Sequence, residues 1–199
     1  MSLSIARSIS LAAALLAVAG CGPSGQERSE AAAAKEAAKT PHVSSATVAP
    51  PPTPASPEDF VAKASASDLF EVQAAQLAEG RAANPAVKSF AAMMRRDHTL
   101  SSQDLKKAIV ESGQSLVGAS AVTPEQRKAL DDLTTAAPAD FDRIYMESQA
   151  KAHGQTLALM QVYSEQGDVA SLKAFASQAS GVVQHHYKQA RTLAEQLQR

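Results

Sequence analysis

Tryptophan is absent from the chain, aromatic residues make up only 4% of it, and cysteine occurs once, at Cys21. With one thiol there is no intramolecular disulfide to support a small fold. A net charge of −1, with Lys, Arg, Asp and Glu mixed along the sequence, leaves no basic face, and few rings remain for stacking. Nucleic acid is therefore not an expected partner. There is no Gly-rich phosphate loop, no Ser/His/Asp order suited to nucleophilic catalysis and no carboxylate pair suited to glycoside chemistry. β-branched residues are sparse outside short clusters, whereas Ala, Leu, Gln, Glu and Lys dominate. That balance favours helices over strands, and an all-α fold is expected.

The first 20 residues have the form of a targeting segment. Arg7 supplies a short basic region and Ile9 to Ala19 an apolar one, too short for the ~20 residues a membrane-spanning helix needs. The run ends in Val18-Ala19-Gly20-Cys21, which resembles a bacterial lipobox. Cys21 is thus the expected lipidation site and the first mature residue, giving a membrane partner through a lipid anchor. Gly22 follows the cysteine where an acid would signal retention at the inner membrane. By resemblance to the sorting pattern of enteric bacteria, the periplasmic face of the outer membrane is the expected location in the cell envelope. Residues 21–56 show no apolar periodicity. Glu30 to Lys39 is a short Ala-rich run, and Pro50-Pro51-Pro52-Thr53-Pro54 favours extended polyproline II, so a disordered tether is expected.

Residues 57–199 carry the helical periodicity. Ser56-Pro57-Glu58-Asp59 reads as a helix start, with Ser56 as cap and Asp59 reaching back. The first helix runs to about Ala82, and Asn84-Pro85 starts a second that stops at Gly113. Thr123-Pro124-Glu125-Gln126 is a capping box for a short helix to about Leu133. Pro138-Ala139-Asp140 opens a third long helix ended by Gly167, and the fourth runs from Asp168 almost to the C-terminus. Four helices of about 25–30 residues, with one long connection carrying a short extra helix, read as a four-helix bundle. Val87-Lys88-Ser89-Phe90-Ala91 is echoed by Leu172-Lys173-Ala174-Phe175-Ala176, as two hairpins of similar design would produce.

A helical wheel separates the faces of each helix. On the second helix Asp97 and His98 flank the stripe of Val87, Phe90, Ala91, Met94 and Leu105. On the fourth, His186 lies within the stripe of Leu172, Phe175, Ala179, Val182 and Val183, while His185 faces solvent. Glu71 falls near the centre of the first helix's face, and His153 at the edge of the third's; Glu147 points away. An up-down bundle with its two tight turns at one end would put Glu71, His98 and His153 at roughly 18–22 Å depth and His186 about a turn deeper. His98, His153 and His186 as nitrogen donors, with Glu71 or Asp97 as oxygen donors, form a candidate internal site for one transition-metal ion. The competing reading is a polar layer in which the imidazoles pair with acids or tyrosine hydroxyls and merely fix helix register. Met93 and Met94 read as core fillers, and Tyr145 and Tyr163 as packing residues with wet hydroxyls.

Asn84-Pro85-x-Val87-Lys88-x-Phe90-Ala91-x-x-Met94-x-x-Asp97-His98 resembles the second-helix motif of a large bacterial domain-of-unknown-function family. Phe141-Asp142-Arg143-x-Tyr145-Met146 with His153, and Leu172-Lys173-x-Phe175-Ala176 with His186, are similar to its third and fourth helices. Glu71 in Asp68-Leu69-Phe70-Glu71-Val72 matches the acid of its first. The family is described as predicted outer-membrane or periplasmic proteins of ferritin-like fold, and the resemblance, spanning Asp59 to Leu197, implies that fold and no established activity. Ferritin-like di-metal sites place a Glu three residues before each paired His. Arg95 precedes His98 and Val183 precedes His186 at that spacing, with Ala150 before His153, so a di-iron site is not expected. The residues leave three functional classes: a binding or structural module of the envelope, a metal-binding protein or oxidoreductase, and an interaction protein that recruits an envelope partner. On the lipobox reading, Cys21→Ser abolishes incorporation of a fatty-acid probe by cells making the protein; continued labelling contradicts it.

Overall fold

The computed structural model describes residues 55–199, and Cys21, the leader and most of the tether lie outside them. Every regular element among the described residues is helical: α1 (Pro57–Arg81), α2 (Pro85–Ser112), α3 (Pro124–Thr135), α4 (Phe141–Gln166) and α5 (Ala170–Leu197). The starts follow the caps. Ser56 accepts from the Asp59 amide at 3.2 Å and Asn84 from Ala86 at 2.8 Å, each with proline at the first helical position. Thr123 and Gln126 form both bonds of a capping box. Gly113 ends α2 at φ 67°, a left-handed conformation that glycine adopts without strain.

Three expected starts differ in detail. Asp59 does not reach back to Ser56 but stands exposed, 4.0 Å from Lys63. Pro138 to Asp140 form a turn, and α4 begins at Phe141. Asp168 precedes α5, which starts two residues later, and lies 3.5 Å from the Tyr163 hydroxyl. Gly167 fits the tight α4–α5 turn because a Cβ there would come within 2.6 Å of the Tyr163 ring.

The long helices pack in a cycle, α1 on α2, α2 on α5, α5 on α4 and α4 on α1, with α3 against α1 and α4. Contacts at the helix ends set their directions. Phe60, at the start of α1, stacks on Tyr163 near the end of α4 at 3.9 Å and meets Phe175 near the start of α5 edge-on. At the other end, the Arg81 guanidinium lies 4.8 Å over Phe141, where α1 finishes and α4 begins. The α1–α2 and α4–α5 turns therefore sit at opposite ends, which corrects the placement of both at one end. The 113–140 connection makes this possible by returning the chain along the full length of the helices. It is pinned on the way: Ala119 donates to Ser65 Oγ at 2.6 Å, and Arg81 donates to the carbonyls of Leu133, Thr134 and Ala136. Those carbonyls end α3 and have no partner within the helix.

Two apolar clusters result. One gathers Phe70, Val87, Phe90, Met94, Phe141 and Tyr145 at the α1–α2 turn end. The other gathers Phe60, Leu105, Met160, Tyr163, Leu172 and Phe175 at the opposite end. Met94 is buried as the expected filler, whereas Val182, expected in the α5 stripe, is 49% exposed. Apart from Asp142 at the start of α4, most of the buried polar residues of the long helices fall between the two clusters, including Ser67, Asp68, His98, Gln149, His153 and His186.

Asp142, the second residue of α4, accepts from the Ala83 and Asn84 amides at 3.1 and 2.8 Å and so ties the α1–α2 turn to α4. Asp142→Ala leaves those amides without a partner in a part-buried turn and should lower stability by about 1.5–3 kcal/mol in urea titration. A loss under about 0.5 kcal/mol would show that the tie contributes little.

Candidate metal centre

Antiparallel helices with opposed turns bring residues of equal depth together. From the end where α1 finishes, Asp68 lies 13 residues from Arg81 and His98 lies 13 from Pro85. His153 lies 12 from Phe141 and His186 lies 11 from Leu197. At 1.5 Å per residue these depths are about 17–20 Å, so His186 is level with the others and not a turn deeper. His153, expected at the edge of its face, is 1% exposed, and His186 likewise.

The three imidazoles form a near-equilateral triangle with ring centroids 5.4, 5.4 and 5.7 Å apart. One ligating nitrogen from each can be chosen so that all lie within 4.8 Å of one another. The other nitrogen of each ring is held by an outer acceptor. His98 Nδ1 bonds Asp68 Oδ1 at 2.8 Å, and Ser102 donates to the second Asp68 oxygen at 3.3 Å. His153 Nδ1 bonds the Gln149 backbone carbonyl at 2.9 Å, and His186 Nε2 bonds Asp97 Oδ2 at 3.1 Å. Carboxylates and carbonyls only accept, which puts the proton on the held nitrogen in each case. The lone pairs then fall on His98 Nε2, His153 Nε2 and His186 Nδ1.

His98 Nε2 and His153 Nε2 face each other at 3.4 Å. Two lone pairs at that distance repel, so the pair requires either a second proton on His98 or a cation between the rings. Burial opposes charge on His98, but the Asp68 hydrogen bond and the Glu71, Asp68 and Asp97 carboxylates outweigh it and hold its pKa above the ordinary histidine value. Burial, with the positive charge of His98 adding to it, pushes His153 well below that value and His186 down to about 4. Those two rings are neutral near pH 7, the form that ligates metal.

On the far side of the triangle Glu71 is 1% exposed, with Oε1 3.5 Å from His153 Nδ1. Burial raises its pKa to about 7, with His98 pulling the other way. Burial also pushes the Tyr145 phenol well above its usual range, and the Glu71 carboxylate adds to the shift. The Tyr145 hydroxyl is fully buried and has no partner, which corrects the expectation of a wet hydroxyl. His186 Nδ1 is also buried without a partner, and the Gln149 side-chain amide lies beside the buried Glu71 carboxyl. Buried polar atoms left open in this way are ones that a bound ion or a buried water would satisfy.

The donor set fits one ion. Two nitrogens held about 2.0–2.1 Å from a tetrahedral ion stand about 3.3–3.4 Å apart, close to the His98–His153 spacing. It does not fit two bridged ions. Arg95 is exposed and pairs with Glu79, Val183 is an apolar wall, and Glu147 is exposed beside Arg143. Of the five residues singled out as donors from sequence, the structure brings His98, His153 and His186 together and places Glu71 and Asp97 against imidazole nitrogens. Asp68 and Gln149 were missed as site residues. Asp68 was findable, since it sits three residues before Glu71 on the same face and at the same count from the turn as His98.

The model of a domain of unknown function, DUF4142, matches residues 28–193. The chain belongs to this family. No curated protein and no solved structure matches it. Membership in the DUF4142 family brings no assigned activity, so chemistry rests on the geometry above.

Glu71 gives the centre a pH signature. A carboxyl held at about 7 in the folded protein, against 4.5 as its ordinary value, binds its proton more tightly when folded. Its contribution stabilises at low pH and is lost as pH rises through that interval. Glu71→Gln should therefore gain stability relative to the parent between pH 4.5 and 7 and level off above, by on the order of 1–3 kcal/mol. Metal-free denaturation series at the two ends of the range would measure it, and a difference independent of pH would contradict the assignment.

Proposed function

We propose that this DUF4142 protein is a lipid-anchored envelope protein whose ferritin-like four-helix bundle holds one divalent transition-metal ion on His98, His153 and His186. The observation that carries the metal reading is the outer hydrogen bonding: each imidazole has one nitrogen held by Asp68, Gln149 or Asp97, leaving the other for coordination. Such outer partners fix the tautomer and ring orientation of metal-bound histidines and raise their basicity. The opposed turns and the single long crossover support the ferritin-like reading. The lipobox ending in Cys21 and the Pro-rich stretch behind it support an anchor and a spacer.

Imidazole nitrogens suit Zn, Cu, Fe and Ni, and an ion bound here would supply Lewis acidity. The chain's own residues define the rest. Asp68 keeps His98 Nδ1 protonated and its Nε2 directed at His153. Asp97 does the same for His186 from a partly exposed position, with its side chain 22% exposed. Glu71 offers a buried carboxyl that can hold or release a proton near neutral pH beside His153.

The test is uptake by the Cys21→Ser protein in equilibrium dialysis against Zn, Co, Mn, Fe and Cu ions in turn. One ion per chain is expected for at least one metal, with His98→Ala and His186→Ala abolishing it. Asp68→Asn, which keeps the shape but weakens the outer acceptor, should lower affinity about 10–100-fold. Absence of uptake for all five metals by folded protein would overturn the proposal.

A further inference from the structure

α2 and α5 leave a cleft of about 310 Å³ that reaches two of the three imidazoles, His98 and His186. His153 does not line it. The depth of the lining follows from exposure: His98, His186, Val183 and Phe175 are buried, whereas Leu100 and Val182 are half exposed on α2 and α5. Those two are among only four large apolar side chains exposed on the described residues. Asp97 and the exposed Asp104 are the carboxylates of the lining, and no lysine or arginine contributes to it. His186 Nδ1, buried and without a partner, belongs to a ring that faces this cleft.

Three imidazoles supply three of the four positions of a tetrahedral ion, and sites that keep the fourth open bind exogenous ligand there. We propose, resting on the metal reading above, that the cleft admits a small uncharged molecule with one lone-pair donor and an apolar body to that fourth position. Its volume lies at the low end of small-molecule sites, and its walls are predominantly apolar with a few polar groups, as in such sites. Anions are disfavoured, because the carboxylates of Asp68, Asp97 and Asp104 already offset the two charges of the ion, and an added anion would exchange water for apolar walls with no lysine or arginine in the lining. A hydrated metal cation can enter by the same carboxylate-lined mouth, and the centre is then loaded and addressed from one side.

The experiment uses the Cys21→Ser protein loaded with Co(II), whose visible spectrum reports its ligands. It is titrated with imidazole, uncharged at about pH 8, and separately with azide. Imidazole should change the spectrum saturably, and azide should bind at least about tenfold more weakly. Asp104→Asn should narrow that gap by favouring azide. Ala179→Trp, which fills the cleft, should keep one cobalt per chain and lose the imidazole response; if it fails to load cobalt, Val182→Trp at the rim takes its place with the same expectation. Where copper loads and cobalt does not, Cu(II) takes its place as the visible probe; failure of the parent protein to bind any of the five metals overturns the metal reading and this one together. Cobalt bound with a spectrum indifferent to imidazole overturns only the open position. Azide binding as tightly as imidazole overturns the ligand class, and an undiminished response in the tryptophan variant overturns the route.

Discussion

The 2.8 Å bond between Asp68 and His98 Nδ1 is the contact on which the rest of the buried layer depends. Both side chains are about 5% exposed, so neither is exchanged cheaply for water. Removing one partner of such a pair leaves the other buried and uncompensated, at a cost of about 3–5 kcal/mol. The bond joins α1 to α2 and decides which nitrogen of His98 carries the proton. That choice directs Nε2 at His153, whose own Nδ1 is committed to the Gln149 carbonyl. The 3.4 Å contact between two basic nitrogens follows, and with it the demand for a proton or a cation in between. A proton and a metal ion compete for the same place, so affinity at this centre must weaken as pH falls.

The apolar clusters at either end allow this layer to persist. Phe60, Tyr163 and Phe175 at one end, and Phe90, Phe141 and Tyr145 at the other, form stacked or edge-on pairs that fix the helices on both sides of the histidines. The polar groups lie between them, and the α2–α5 cleft reaches His98 and His186. Glu71, Gln149 and Tyr145 are enclosed on the other side without full hydrogen bonding, a cost the apolar clusters offset.

Much of the fold was legible in local chemistry. Ser56, Asn84-Pro85, Gly113 and Thr123-Gln126 mark helix ends by satisfying or relieving backbone groups that a helix end leaves unpaired, and these are short-range signals. The inward placement of His98 and His186 followed from 3.6-residue periodicity, which left His153 at the edge of its face, and the missing di-iron acids followed from Arg95 and Val183. What was not legible depends on long-range packing. Whether the two tight turns share an end is set by Arg81 over Phe141 and Phe60 against Tyr163, residues far apart in sequence. That single choice decides whether His186 meets His98 or misses it by a turn. Asp68 escaped notice for a related reason, since a buried acid is identified by its partner across the helix pair. The Tyr145 hydroxyl was read as wet because a wheel gives direction but not depth.

In the proposed centre three histidines, from α2, α4 and α5, converge on one ion. X-ray absorption of the metal-loaded protein tests it most directly, because it counts the ligands and identifies them. Three imidazole nitrogens at about 2.0–2.1 Å are expected, together with the outer-ring scattering that distinguishes histidine from water or carboxylate. A shell of oxygen ligands, or one with a single imidazole, would contradict it.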